Sequence, residues 1–200
     1  MRATSGNNSM VPPAKPRWAV LISGRGSNLA ALLDHPDEID IRVVVSSSSK
    51  AEGLLRAKRA GIPIRIVETE VVNGKKKISY DRLTTELQRI GVTHVALAGY
   101  MRIIPPGFIA QWKNRIINLH PSLLPLYPGL DSIRIAHEEK SDLGITVHEV
   151  NEEVDGGRII AQRTCLKSGE MCEFEFAEFL VHTGEQRLLK QVVSRRKHGD

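Results

Sequence analysis

The stretch that decides the fold is Ala19 to Leu33, "AVLISGRGSNLAALL". Four apolar residues lead into Ser-Gly-Arg-Gly-Ser-Asn, and apolar residues at helical spacing follow. This order predicts a buried strand, a glycine turn and a helix. Such a turn directs backbone N–H groups and the positive end of the helix dipole to one point, and that point favours an anion such as phosphate.

The same alternation of strand and helix continues along the chain, so we expect an α/β fold: a Rossmann-like, mostly parallel sheet with helices on both faces. The last two strands, separated by "NEEVDGG", predict a C-terminal edge hairpin before a closing helix. The predicted strands are Trp18–Ile22, Ile41–Val45, Ile64–Val67, His94–Ala98, Arg115–Leu119, Ile145–Val150 and Arg158–Thr164. The predicted helices are Ser27–Leu33, Ala51–Ala60, Tyr80–Ile90 and roughly Glu173 to Val193.

A chain of 200 residues has room for one sizeable core, so we expect a single domain over residues 18–193. We expect residues 1–17 to form a disordered extension, because they are rich in Ser, Asn and Pro and show no apolar periodicity. No apolar run is long enough to span a bilayer, and no secretion signal is recognisable. Two cysteines, Cys165 and Cys172, are too few for a disulfide framework. These features favour a cytoplasmic protein.

The positive charge of the chain is concentrated at its ends. The sequence pI is near 9.4 and the formal net charge is +5, but the first 17 residues and the last 11 each contribute +3, which leaves −1 for residues 18–189. A basic RNA-binding module would explain the basic tail 194–200 and the run Lys75–Lys77. Few aromatic residues and no RNA-binding signature argue against that function.

The glycine turn lacks two features of a dinucleotide site. Leu29 stands where the third glycine of the fingerprint belongs, and the second strand ends in Ser46–Ser49 without an acid. A P-loop is excluded because no Gly-Lys-Ser/Thr follows. One interpretation is a small phosphomonoester bound by Gly26, Ser27 and Asn28. The alternative is a tight turn before a helix that Ser27 caps.

A second group of polar residues lies in "IINLHPSLLPLYPGL". Asn118 and His120 are two residues apart at the end of a predicted strand, so both side chains should project to the same side. The Asn118 amide can donate to a developing oxyanion, and His120 can exchange a proton near neutral pH. Asp155 in "VNEEVDGG" would orient His120 and stabilise its charged form, or would serve only as a turn residue. No nucleophile elbow indicates an acyl-enzyme.

Five motifs in this order, "ISGRGSNL", "LAGYMRI", "NLHPSLLPLYPG", "GITVHEV" and "VDGG", resemble the phosphoribosylglycinamide formyltransferase family from Trp18 to Val193. The resemblance implies de novo purine biosynthesis, with direct attack of the glycyl amine of glycinamide ribonucleotide on 10-formyltetrahydrofolate, the formyl-donor co-substrate. It implies no metal, no nucleic acid or membrane partner, and a monomer or homodimer.

The resemblance also implies roles for individual residues. Asn118, protonated His120 and Asp155 match the catalytic trio, in which Asp155 supports His120 and an ordered water. Glu185 matches a nucleotide contact, and His182 stands where Gln is expected. The glycine turn would hold the nucleotide phosphate through Gly26, Ser27 and Asn28. The implied folate-binding residues are Lys77 beside the glutamate tail, Met101, Arg102, Ile103 and Ile104 along the pterin cleft, and Asn151, Glu152, Glu153 and Val154 in the loop that closes over the pterin.

Two enzymes related to this family are expected to contain a domain for which this chain has too few residues. Formyltetrahydrofolate deformylase, a hydrolase, carries a regulatory domain before a similar catalytic region, whereas 17 residues precede Trp18 here. Methionyl-tRNA formyltransferase adds a C-terminal domain, whereas 45 residues follow Asp155. The deformylase is the principal alternative. The segment "YPGLDSIRIAH" also lacks histidines that some members of the family carry, without affecting the trio.

Overall fold

A computed structural model describes residues 15–67, 69–72 and 75–196, with the backbone alone for 69–72 and 75–77. Most of the predicted N-terminal extension and the last four residues of the chain lie outside this range. No helix within the described residues is both long and apolar enough to cross a membrane.

Seven strands form one sheet in the order β3-β2-β1-β6-β7-β8-β9. Neighbouring strands from β3 to β7 are parallel, and β8 and β9 add an antiparallel edge hairpin. The α/β prediction and the edge hairpin are therefore confirmed. The strands are β1 (Arg17–Ile22), β2 (Asp40–Ser46), β3 (Ile64–Ile66), β6 (His94–Leu97), β7 (Ile116–His120), β8 (Leu143–Glu149) and β9 (Ile159–Leu166), and a separate hairpin contains β4 (Thr69–Val72) and β5 (Lys75–Ile78).

Six helices cover the two faces of the sheet. One apolar core lies under α1, α2, α5 and α6, and a second lies under α3 and α4. Strand β1 contributes side chains to both cores. Trp18, Val20 and Ile22 face the first core, and Ala19 and Leu21 face the second. The helices are α1 (Ser27–Leu33), α2 (Gly53–Arg59), α3 (Tyr80–Arg89), α4 (Pro106–Gln111), α5 (Ser132–Glu138) and α6 (Phe174–Arg195).

The sequence prediction omitted the β4–β5 hairpin and the short helices α4 and α5. The hairpin and α4 each had a local signal: in the sequence, Asn73-Gly74 between two strand-like runs is typical of a two-residue hairpin loop, and Pro106 suits the first turn of a helix. Several boundaries also differ by a few residues; among them, β1 begins at Arg17 and α6 continues to Arg195. The folded region therefore reaches beyond residues 18–193 at both ends.

The parallel strands bring three segments of the predicted site to one edge of the sheet. Leu21 of β1 pairs with Leu97 of β6, and Leu97 pairs with Asn118 of β7. The glycine turn, the segment after β6 and the end of β7 therefore follow neighbouring strand ends. The carboxyl ends of parallel strands are the usual position for a ligand in this class of fold.

Candidate active site

The end of β7 carries two polar side chains into a largely buried setting. His120 is buried and Asn118 is half-buried. Asn118 Nδ2 donates to Asp155 Oδ1 at 3.3 Å, and His120 Nδ1 lies 3.3 Å from Asp155 Oδ2. The structure thus brings the three predicted residues together around one carboxylate.

Asp155 enters the site from the loop between β8 and β9. Its backbone adopts a left-handed conformation (φ 53°), which Asp tolerates better than most residues. The Gly129 N–H donates to its Oδ2 at 2.9 Å. Burial raises the pKa of Asp155, but the contact with His148, the Gly129 N–H and the charge of His120 outweigh burial and leave the pKa below its ordinary value. Asp155 is therefore an anion that neighbouring donors stabilise.

His148 is a fourth member of this cluster that the sequence reasoning missed. It is buried and pairs across the sheet with Asn118. Its Nδ1 lies 2.8 Å from the carbonyl of Glu149, so Nδ1 carries the hydrogen. Its Nε2 then faces Asn118 Nδ2 at 3.1 Å and Asp155 Oδ1 at 3.5 Å. The available signal was its position in "GITVHEV", as the last residue but one of a strand.

The proline-rich loop after β7 supplies two backbone groups. His120 Nε2 lies 2.9 Å from the carbonyl oxygen of Tyr127, and Gly129 donates to Asp155. Tyr127 has a positive φ of 55°, which is uncommon for a bulky residue and marks a constrained turn. Thr146 on β8 anchors the loop, because its hydroxyl donates to the Ser122 carbonyl at 2.7 Å.

Existing contacts engage every N–H of the strand-end pair. The two amide hydrogens of Asn118 face Asp155 and His148, and the two ring nitrogens of His120 face acceptors on Asp155 and Tyr127. Donation to a substrate oxygen therefore requires one of these partners to be exchanged. Sequence reasoning placed both side chains on one face and named Asp155 as the partner of His120, but it did not predict that Asn118 contacts the same carboxylate.

An ion-pair cluster closes the base of the loop that carries Asp155. Arg158 Nη2 donates to Glu149 Oε1 at 2.5 Å, and Arg196 Nη2 reaches the same oxygen at 3.3 Å. Burial raises the pKa of Glu149, but the two arginines outweigh burial and lower the pKa below its ordinary value. Arg196 also donates to the Asn114 carbonyl at 2.7 Å. The first part of the predicted basic tail is thus packed against the sheet.

The glycine turn is built on Gly26 and Gly53. Gly26 is the N-cap of α1 with φ 71°, and a Cβ there would lie 2.7 Å from Gly53 Cα. Gly53 donates its N–H to the Gly24 carbonyl at 3.1 Å. Ser27 does not cap the helix as the alternative interpretation expected, because the N-cap is Gly26. Gly53 was not among the predicted site residues.

Ser23 connects the glycine turn to the segment after β6. Its hydroxyl accepts from the Met101 N–H at 2.8 Å and bonds the Ser47 hydroxyl at 2.7 Å. Its own N–H donates to the Gly99 carbonyl at 3.0 Å. The predicted phosphate and folate segments are therefore linked by one residue.

Helix α6 packs against α1 beside this turn. Glu185 is buried, and its Oε2 lies 2.7 Å from His182 Nδ1. The hydrogen bond from Glu185 raises the pKa of His182, while burial and the charge of Arg25 in the turn lower it. The two residues expected from the last helix thus bond to each other, and the charge of Arg25 in the glycine turn acts on His182.

The predicted folate segments present exposed apolar side chains. Met101, Ile103 and Val154 are 71%, 84% and 63% exposed. Ile104 differs, because it is buried in the core under α3 and α4. In the closing loop, Asn151 Oδ1 accepts from the Glu153 N–H at 3.1 Å, which shapes the turn. Arg102 and Glu152 are exposed, and the side chain of Lys77 lies outside the described residues.

The described side chains offer no group of three or more His, Cys, Asp or Glu arranged to hold a metal ion. What they offer is a buried donor and acid–base cluster next to a glycine turn at the carboxyl edge of a parallel sheet. Fold and site together therefore define an α/β protein with an acid–base site at the usual ligand position of the sheet.

Comparison with known proteins narrows this class. The profile of the family described as "Formyl transferase" matches residues 16–192. Phosphoribosylglycinamide formyltransferase from Haemophilus influenzae is 42% identical over 149 residues, which cover 72% of this chain and 70% of that protein. The chain belongs to the formyl transferase family and, within it, to the phosphoribosylglycinamide formyltransferases.

A solved structure and a longer relative are both consistent with membership of this family. The crystal structure of glycinamide ribonucleotide transformylase 1 from Symbiobacterium toebii is similar with a TM-score of 0.81 at 36% identity, covering 96% of this chain and 92% of that one. The "Trifunctional purine biosynthetic protein adenosine-3" of Bos taurus is 39% identical over 181 residues. This match covers 85% of the chain but only 17% of the bovine protein.

Proposed function

We propose that this protein transfers the formyl group of 10-formyltetrahydrofolate to the glycyl amine of glycinamide ribonucleotide in de novo purine biosynthesis. The names of its relatives support this reaction. The observation that carries it is the carboxylate of Asp155, which joins Asn118 and His120 at the sheet edge that also holds the glycine turn.

In the proposed reaction the amine nitrogen bonds to the formyl carbon, and the carbonyl electron pair moves onto the formyl oxygen. Collapse of this tetrahedral intermediate breaks the bond to N10 of the folate. The amine loses a proton and N10 gains one, so the overall proton count is unchanged. The folate and the nucleotide are both substrates, and no metal takes part.

The residues at the end of β7 would act on the charge that develops on the formyl oxygen. Asn118 donates an amide hydrogen, and protonated His120 supplies a matching positive charge. Asp155 holds His120 in place and supports an ordered water that carries protons. Burial strengthens each of these interactions, because nearby protein screens charge less than water does.

The two substrates would occupy neighbouring strand ends. Gly26, Ser27 and Asn28 would hold the nucleotide phosphate, with Glu185 and His182 as further nucleotide contacts. The pterin would lie between the segments 101–104 and 151–154, and Lys77 would approach the glutamate tail. We propose a single domain that works in the cytoplasm on small molecules, as a monomer or homodimer, without nucleic acid or membrane.

A direct assay tests the proposal. The protein is mixed with a 10-formyl folate, with and without glycinamide ribonucleotide, and the deformylated folate is followed by absorbance. We expect product only when the nucleotide is present. Release of formate without the nucleotide would identify the deformylase instead, and no product under either condition would reject both enzymes.

A further inference from the structure

An imidazole on α6 connects a buried carboxylate to the protein surface, on the helix that packs against α1. His182 Nδ1 lies 2.7 Å from Glu185 Oε2, and its Nε2 lies 3.9 Å from Glu178 Oε1. The Glu185 side chain is 8% exposed and the His182 side chain is 39% exposed. Because Nδ1 faces a carboxylate, it carries a hydrogen in both charge states. The proton that His182 gains or loses is therefore the one on Nε2.

The charges around His182 come from two elements. Glu185 and Glu178 on its own helix favour the protonated ring, and Arg25, from the turn before α1, opposes it. Glu185 has the largest effect and raises the pKa of His182 above its ordinary value. The ring therefore keeps its charge to a higher pH than an ordinary histidine does.

Arg25 and protonated His182 are like charges whose repulsion a bound anion would relieve. A phosphomonoester at the glycine turn would bring negative charge beside both cations. Since coupling between two binding events is reciprocal, an anion that binds better to the protonated form must also favour protonation. The buried Glu185 keeps the imidazole in position in both states.

We infer that His182 takes up a proton when a phosphomonoester nucleotide binds at the glycine turn, so that nucleotide affinity falls as the pH rises past neutrality. This inference rests on the proposed function and adds a property of the nucleotide site. It assigns the effect to the charge of His182 and not to the chemistry at His120.

The first test is the KM for glycinamide ribonucleotide measured from about pH 6 to about pH 9. In the unmodified protein we expect this KM to rise by about twofold to fivefold, the size expected for one partly exposed charge. The KM for the formyl folate should not show this rise with pH. In His182→Gln the rise in the nucleotide KM should be smaller, because glutamine keeps a polar side chain but cannot ionise, whereas the ionisable groups of the nucleotide are the same for both proteins.

The second test counts protons by titration calorimetry of the nucleotide in buffers of different ionisation enthalpy, at about pH 8. The phosphate of the nucleotide ionises in the same way whichever variant is titrated. A difference in proton uptake between the unmodified protein and His182→Gln therefore reports on His182. We expect greater proton uptake in the unmodified protein than in His182→Gln.

His35→Gln is a matched control. His35 pairs with Glu38 at the same sequence spacing, at 3.6 Å and with a similar exposure of 40%, but it follows the far end of α1. This variant should keep the pH profile and proton uptake of the unmodified protein. Binding with identical profiles in the unmodified protein and His182→Gln would overturn the inference alone. No nucleotide binding at any pH in all three proteins would overturn the proposed function as well.

Discussion

Asp155 and His120 are 35 positions apart in the sequence, yet the Asp155 Oδ2 lies 3.3 Å from His120 Nδ1. The loop between β8 and β9 folds back over the end of β7 to make this contact. The other oxygen of the same carboxylate accepts from Asn118. One buried anion therefore orients both side chains to which we assign the stabilisation of the reacting oxygen.

Asp155→Asn keeps the shape of this side chain and removes its charge. We expect kcat to fall by about 10²-fold to 10³-fold, because His120 loses its negative partner and an amide hydrogen now faces a donor. The KM of each substrate should change much less. Steady-state kinetics with both substrates varied checks this, and a circular dichroism spectrum controls for folding. A near-normal kcat would show that Asp155 is only a turn residue.

The lowered pKa of Asp155 predicts a pH dependence of stability. A carboxyl with a depressed pKa stabilises the fold above its unfolded pKa, near ~3.9, and this contribution disappears as the pH falls through the lower folded value. The difference in free energy of unfolding between the unmodified protein and Asp155→Asn should be constant above about pH 5 and shrink below about pH 4.

Urea unfolding at several pH values measures this difference. Asp37→Asn is a suitable control, because Asp37 is exposed and the change should alter stability little. A difference that grew toward acid pH would contradict the sign we derive for Asp155.

The shared carboxylate predicts that Asn118 and His120 are not independent. Each single change, Asn118→Ala or His120→Ala, should lower kcat by about 10²-fold to 10³-fold. Because both act on one transition state, the double variant should lose less than the product of the two single losses. Single-turnover kinetics with both substrates bound gives the four rates. Near-normal chemistry in His120→Ala would remove that residue from the proposed mechanism.

Two glycines of the glycine turn, Gly24 and Gly26, should respond differently to alanine. Gly26→Ala places a Cβ 2.7 Å from Gly53 Cα at a positive φ, so we expect a loss of stability of about 1–3 kcal/mol. At Gly24 a Cβ meets no heavy atom within 4 Å. Gly24→Ala should therefore fold normally and raise the nucleotide KM more than the folate KM. Thermal unfolding and kinetics together test this, and an unchanged nucleotide KM in Gly24→Ala would argue against phosphate at the turn.

The exposed apolar side chains near β6 should belong to the folate site. Ile103→Ser should raise the folate KM by about tenfold, because a buried apolar contact of this size contributes ~1.5 kcal/mol or more. Stability should change little, since Ile103 is 84% exposed. Leu55→Ser on α2, at a residue that is 59% exposed, is the matched control and should leave both KM values unchanged. Equal effects of the two variants would place the pterin elsewhere.

Local sequence patterns were sufficient for much of the sheet and for the glycine turn. Apolar runs predicted all seven strands of the main sheet, and the predicted bounds of α1, Ser27–Leu33, match the structure. These features follow from periodicity and from the conformational freedom of glycine, which act over a few residues. Asn118 and His120 could be placed on one strand face for the same reason.

The tertiary structure decided which groups meet at that face. His148 reaches Asn118 because β8 runs antiparallel to β7 in one particular register, and Gly53 supports Gly26 because α2 begins against the turn. Asp155 reaches His120 only because its loop folds back over the strand end. Periodicity specifies which side of an element is buried, whereas register and loop path depend on packing between distant segments. The sequence by itself therefore determined most of the elements and the candidate reactive residues, and long-range packing decided that Asn118 and His120 share the carboxylate of Asp155.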